Sequence, residues 1–283
     1  MRLHLTLILA AAAVCLVPVD SAPGALVGWW KLDDGASDNT TTTALNSGTL
    51  GASADGSLRN MTPTSDWITD RALLPPRINT LAALEFEGGN EFVNIDGYKG
   101  ITGTGARTAA MWVKTSLTQE ALISWGSNST GQKWTFRTQD DQGPYDGVIR
   151  AEVAGGYVVG NTIITDDTWH HVAVTWEDDG SPNIVDAKLY VDGYLDGQNG
   201  TFSAQSGQAI NTASGSDVRL GAAFSAGNVN FVGMMDDVRI YDEALSAAQI
   251  HYLVYTPEPS TILIWSLLAA LGITFGRHKR RKK

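Results

Sequence analysis

Cysteine is almost missing: one residue, Cys15, in a chain of 283. A lone thiol cannot pair within the chain, which excludes a disulfide scaffold. Basic residues are also scarce, 20 against 30 acidic ones, and the net charge of −10 speaks against a sequence-reading nucleic-acid binder. Charged residues make up 18% of the chain and hydrophobic ones 43%, so it is no disordered acidic tail. The usual catalytic signatures are missing as well. No Gly-x-Ser-x-Gly elbow and no His-Glu-x-x-His pair occurs. What is abundant is glycine, with 30 residues, and tryptophan, with nine. That composition suits one large globular domain or two small ones.

The two ends read as addresses. At the start, Arg2 and His4 precede an apolar run from Leu5 to Val17, followed by the small residues Ser21 and Ala22. Residues 1–22 therefore read as a secretory signal, too short for a comfortable membrane span, and Cys15 leaves with it. At the other end stand Pro257, Glu258 and Pro259, an apolar stretch from Ile262 to Phe275, and a basic cluster of Arg277, Lys279, Arg280, Arg281, Lys282 and Lys283. The prolines keep the first part extended, the apolar run enters a bilayer as a transmembrane helix (262–275), and the bases stay cytoplasmic. In that order, residues 256–283 resemble the PEP-CTERM sorting signal of Gram-negative bacteria. The resemblance implies a transient inner-membrane anchor, cutting at Pro257-Glu258-Pro259 by an exosortase-type protease, and delivery to the cell surface or extracellular matrix. Without Arg2, the six tail bases, Asp20 and Glu258, residues 23–255 keep 13 basic and 28 acidic residues, a net charge of −15.

Between the ends, short alternating runs are separated by Gly, Asn, Asp and Ser. This pattern predicts an all-β sandwich. Leu84 and Phe86 share a face, as do Val93 and Ile95; His170, Val172, Val174 and Trp176 line one side of a long strand. Asp192-Gly193 marks a tight turn, and Ser246 with Gln249 has capping-box spacing ahead of a short helix that would dock through Ala247, Ile250 and Leu253. GWWKLDDG (28–35), LEFEGGNEFVNI (84–95), TAAMWVK (108–114), TWHHVAVTW (168–176), LYVDGYLDG (189–197) and FVGMMDDVRIYDEALSAAQI (231–250) are together similar to the LamG-like, concanavalin A-like jelly roll. The resemblance implies a jelly-roll β-sandwich over 23–255 with one short C-terminal helix. It also implies carbohydrate binding, adhesion or a purely structural role in an envelope or biofilm matrix.

Four candidate site features follow. Asp236 shares a two-residue period with Val232, Met234, Val238 and Ile240, a face expected to be buried. A buried carboxylate needs hydrogen-bond donors or a cation. Similar jelly rolls carry a structural calcium ion, so Ca²⁺ with Asn46 as partner ligand stands beside a hydrogen-bonded loop pin. Trp125 and Trp134 flank the loop 126–131; with Asn128 and Gln132 they fit either a sugar-stacking site or hairpin core packing. His170 and His171 point to opposite faces and do not make a zinc pair. Glu85 and Glu87 lack the intervening Asp of a glycosidase strand and read as outward polar residues, so the expectation is a non-catalytic protein.

Overall fold

The computed structural model describes residues 24–70, 72, 80–139, 146–197, 204–224 and 230–255. The expected signal (1–22) and sorting segment (256–283), with Pro257, Glu258, Pro259 and the apolar run 262–275, lie outside them. Among the described residues no helix is long and apolar enough to cross a membrane.

The strands are β1 (Leu26–Trp30), β2 (Thr43–Ala44), β3 (Gly56–Arg59), β4 (Trp67–Ile68), β5 (Ala83–Glu87), β6 (Phe92–Ile95), β7 (Arg107–Lys114), β8 (Ala121–Gly126) and β9 (Lys133–Thr138). They continue with β10 (Val148–Val153), β11 (Gly156–Ile163), β12 (His170–Trp176), β13 (Lys188–Val191), β14 (Tyr194–Leu195), β15 (Ala204–Ser206), β16 (Ser216–Leu220) and β17 (Val232–Tyr241). Helix α1 is the single turn Pro63–Asp66, and α2 spans Ala247–Tyr255. One sheet runs β14-β13-β12-β7-β17-β5-β4, with β1 paired to β17; the nine-stranded sheet runs β15-β11-β10-β9-β8-β16-β6-β3-β2. The expected all-β sandwich with a closing helix is thus the observed architecture.

Alternation explains why the sheets stack. On β12, Val172, Val174 and Trp176 enter the main core; on β7 it is Ala109, Met111 and Val113. From the other sheet come Trp125, Trp134, Phe136, Ile149 and Ala151. Burying each large side chain contributes on the order of 2–3 kcal/mol, so this interior drives the fold. The hairpin from β13 to β14 turns on Asp192 (φ 51°) and Gly193 (φ 82°), both left-handed, as a two-residue turn matched to strand twist requires.

Two expectations need correction. A bulge between Asp236 and Arg239, with Asp237 at φ 55°, shifts the register of β17 against β7. One extra residue flips the alternation. Met235 is in the main core before the bulge, and Val238 and Ile240 after it. Asp236 therefore does not share their face: it lies on the outer side, paired in register with Trp112. Trp112 itself belongs to a separate outer cluster with Ala72 and Val254 rather than to the core between the sheets. On α2 the capping box forms as expected, with Ser246 N donating to Gln249 Oε1 (2.8 Å) and Gln249 N to Ser246 Oγ (3.3 Å). The docked stripe, however, is Ile250 and Val254 with half-buried Leu253, while Ala247 is exposed.

Candidate functional site

The expected aromatic platform is not open to a ligand. Trp125 and Trp134 are each 0% exposed, packed 5.9 Å apart between centroids in the main core. Trp125 donates its indole N–H to Ile101 O (3.0 Å). The loop beside them closes on itself: Ser127 N donates to Gln132 O and Gln132 N to Ser129 O, which leaves Asn128 exposed and Gln132 half-buried. A sugar cannot stack on rings with no free face, so Trp125, Asn128, Gln132 and Trp134 do not form one binding site.

Asn46 and Asp236 are not brought together either. Asn46 Oδ1 accepts from Trp29 N (2.7 Å) and Gly48 N (2.9 Å), and its amide donates to Gly51 O (3.0 Å). The side chain is the pin of its own loop. Asp236, 0% exposed, accepts from Thr80 Oγ1 (2.8 Å) and Ala72 N (3.3 Å) and so ties those two residues to β17. Among the described residues no group of three or more His, Cys, Asp and Glu side chains is placed to hold a metal. Asp237 pairs with Arg239 (2.9 Å) and accepts from the Trp29 indole (2.6 Å).

The histidines separate as expected. His170 Nδ1 lies 2.8 Å from Asp192 and Nε2 lies 3.3 Å from Asp166. Those partners, Asp192 first, hold its pKa above the usual 6.5 despite burial. His171 packs edge-on against Trp112 on the other side of the strand.

A different arrangement emerges on the outer face of the nine-stranded sheet. Where Trp134, Phe136, Ile149 and Ala151 point inward, their neighbours Lys133, Thr135, Arg137, Arg150 and Glu152 point outward. Register extends this face across the sheet: Ser57 opposes Asn94, Asn94 opposes Arg219, Arg219 opposes Ser124, Ser124 opposes Thr135, Thr135 opposes Glu152, Glu152 opposes Tyr157, and Tyr157 opposes Ser206. Eight strands spaced about 4.8 Å apart thus present one continuous polar row. Its floor is recessed, with Ser124 at 0% and Thr135 at 2% exposure although both point away from the core. Ser124 Oγ donates to Ala222 O (2.7 Å), whereas Thr135 Oγ1 and Arg219 Nε are buried with no hydrogen-bond partner. Phe92 lies under the Arg219 guanidinium at 4.8 Å, and Tyr157 under that of Arg150 at 4.0 Å.

Glu152 gathers three cations: Lys133 Nζ, Arg137 Nε (3.1 Å) and Arg150 Nε (2.7 Å). Burial opposes ionisation of Glu152, but Arg137, Arg150 and Lys133 outweigh it and hold the carboxyl below the ordinary range. Arg137 also donates to Thr138 O, and Arg150 to Gln139 Oε1. The alternation of Lys133, Thr135 and Arg137 against Trp134 and Phe136 was the available sequence signal. It points to this face only once the pairing of β9 with β8 and β10 is known.

A sequence profile of the Laminin_G_3 family, described as the concanavalin A-like lectin/glucanases superfamily, matches residues 87–251, more than half of the chain. The chain belongs to that family. A comparison with curated proteins finds no match. Among solved structures, domain 4 of AbnA, an extracellular GH43 arabinanase from Geobacillus stearothermophilus seen with arabinotriose, is similar at 16% identity and a TM-score of 0.54, covering 82% of this chain and 100% of that one. Trypanosoma rangeli sialidase is similar at 15% identity and a TM-score of 0.50, with 82% of this chain and 33% of that one covered. The CBM40 module of Ruminococcus gnavus IT-sialidase, bound to sialyllactose, follows at 15% identity and 0.46, covering 61% and 96%. At these identities the likeness to the first two shows the fold.

Proposed function

We propose that this chain is an exported, non-catalytic carbohydrate-binding module of the cell surface or extracellular matrix, which binds glycan along the outer face of the nine-stranded sheet. The observation that carries the reading is the polar row, with the buried, unpartnered Thr135 hydroxyl in its floor and Phe92 and Tyr157 beside it. Sugars are recognised by such a mixture of hydrogen-bonding groups and aromatic faces. Membership in a lectin-like family and the arabinotriose bound by AbnA domain 4 support the same class of ligand.

Hydrolysis is not part of the proposal. Most glycosidases use two carboxylates roughly 5–10 Å apart. Glu152 is held ionised by its cations, and Asp217, three strands away on β16 and ion-paired with Lys99 at 2.7 Å, stands about 14 Å off by strand spacing. Delivery to the matrix rests on the sorting signal at 256–283 and its exosortase-type protease.

The test is a glycan array probed with the purified full chain, repeated with Arg219→Ala. Binding that falls severalfold in the variant supports the reading. No binding to any neutral or acidic polysaccharide overturns it in favour of a purely structural matrix protein.

A further inference from the structure

The cations on this face are in excess. Lys133, Arg137 and Arg150 share a single carboxylate, Glu152, and their side chains are only 15%, 13% and 17% exposed. Arg219 stands in the same row without an acceptor for its Nε. The other charges on this side are already paired: Arg59 with Asp96 and Lys99 with Asp217. Among the described residues four positive groups therefore face one negative group in a recessed floor, on a domain whose expected charge over 23–255 is −15. Desolvated charge of one sign is unfavourable unless an opposite charge joins it. The domain has acidic residues in plenty, yet among the described residues only Glu152 is placed in this cluster.

Resting on the carbohydrate-binding reading, we propose that the natural ligand is an anionic glycan, and that its carboxylate groups are received by Arg137, Arg150 and Arg219, with Thr135 donating its hydroxyl. The row supplies what such a ligand needs. Guanidinium groups on neighbouring strands offer planar pairs of N–H donors that match a carboxylate. Arg219 and Thr135 lie two strands apart, about 10 Å, and Arg137 lies two residues along β9 from Thr135, about 7 Å. These separations suit successive sugar units of a polymer rather than a single small anion. Thr135 is the internal marker of the site. Its hydroxyl makes no hydrogen bond within the protein, so the fold has no use for it.

The experiment measures binding of the full chain to three acidic polysaccharides, polygalacturonate, alginate and hyaluronate, each beside its methyl-esterified form. The proposal expects at least one acidic form to bind at least tenfold tighter than its ester, with affinity falling as salt is raised. Thr135→Val keeps the shape of the side chain and should leave thermal stability unchanged or raised while weakening acid binding about tenfold. Arg219→Gln should weaken acid binding and narrow the difference between acid and ester. Equal binding of acid and ester overturns the anionic inference while the carbohydrate reading stands. Binding of neither form overturns the inference, and the array decides the broader reading separately. Unchanged acid binding in both Thr135→Val and Arg219→Gln places the ligand elsewhere and likewise overturns it.

Discussion

Glu120 gives the sharpest handle on stability. Its residue is 3% exposed, and its oxygens meet only neutral donors: Thr115 Oγ1 at 2.9 Å and Val232 N at 3.0 Å. Burial pushes its carboxyl up from 4.5 to about 7. The local geometry agrees. Thr115 Oγ1 has one proton but lies within reach of both Glu120 Oε2 and Val232 O (2.8 Å). A protonated Glu120 resolves the conflict by donating to Thr115, which then donates to Val232. A carboxyl whose folded pKa is raised binds its proton more tightly when folded, so its ionisation destabilises the fold. The penalty begins near pH 4.5, grows through about pH 7 and is complete above it. The gap, at about 1.36 kcal/mol per pH unit, is worth about 3 kcal/mol. Glu120→Gln is neutral at every pH and can reproduce the same hydrogen bonds. Urea unfolding followed by tryptophan fluorescence should show the variant near wild type at pH 4.5 and about 3 kcal/mol more stable at pH 8. A variant no more stable than wild type at pH 8, or a difference independent of pH, would refute the reasoning.

Other outcomes follow from named contacts. Arg107 is 0% exposed, lies 4.9 Å from the Trp134 ring, and donates to Ile101 O, Gly103 O, Gly105 O and Thr212 Oγ1; Arg107→Met should destabilise by roughly 3 kcal/mol in urea unfolding, because several acceptors lose their donor. His170 has its pKa raised, so the stability it contributes is fully present below about pH 6.5 and lost as pH rises through the raised value; His170→Gln should lose more stability at pH 5.5 than at pH 8.5 in urea unfolding. Because Asp236 is held by Thr80 and Ala72, Asp236→Ala should lower the melting temperature while EDTA leaves wild type unchanged; an EDTA-induced drop reversed by calcium would restore the calcium-ligand expectation for Asp236.

Much of the fold was legible because its signals are local. The Asp192-Gly193 turn, the Ser246–Gln249 capping box and the alternation in β12 each need only a few consecutive residues. The errors arose where a distant partner decides. The bulge at Asp236–Arg239 inserts one residue into an otherwise regular apolar alternation, and nothing in FVGMMDDVRIY marks where the parity changes. The sequence around Trp125 and Trp134 favours hairpin core packing but leaves a sugar platform open, and only the eight-stranded sheet stacked over them removes their free faces. The polar row was the hardest to read. Arg219 meets Ser124 and Asn94 across separations of about a hundred residues, because β16 inserts between β8 and β6.

The central claim is that ligand lies on the outer face of the nine-stranded sheet. Hydroxyl-radical footprinting of the full chain, with and without the tightest-binding polysaccharide, reads this directly. The account predicts that Phe92 and Tyr157 on that face become protected from oxidation, while the exposed Tyr194 on β14 and Tyr255 at the end of α2 react as before. Protection of Tyr194 and Tyr255 with Phe92 and Tyr157 unchanged would contradict it.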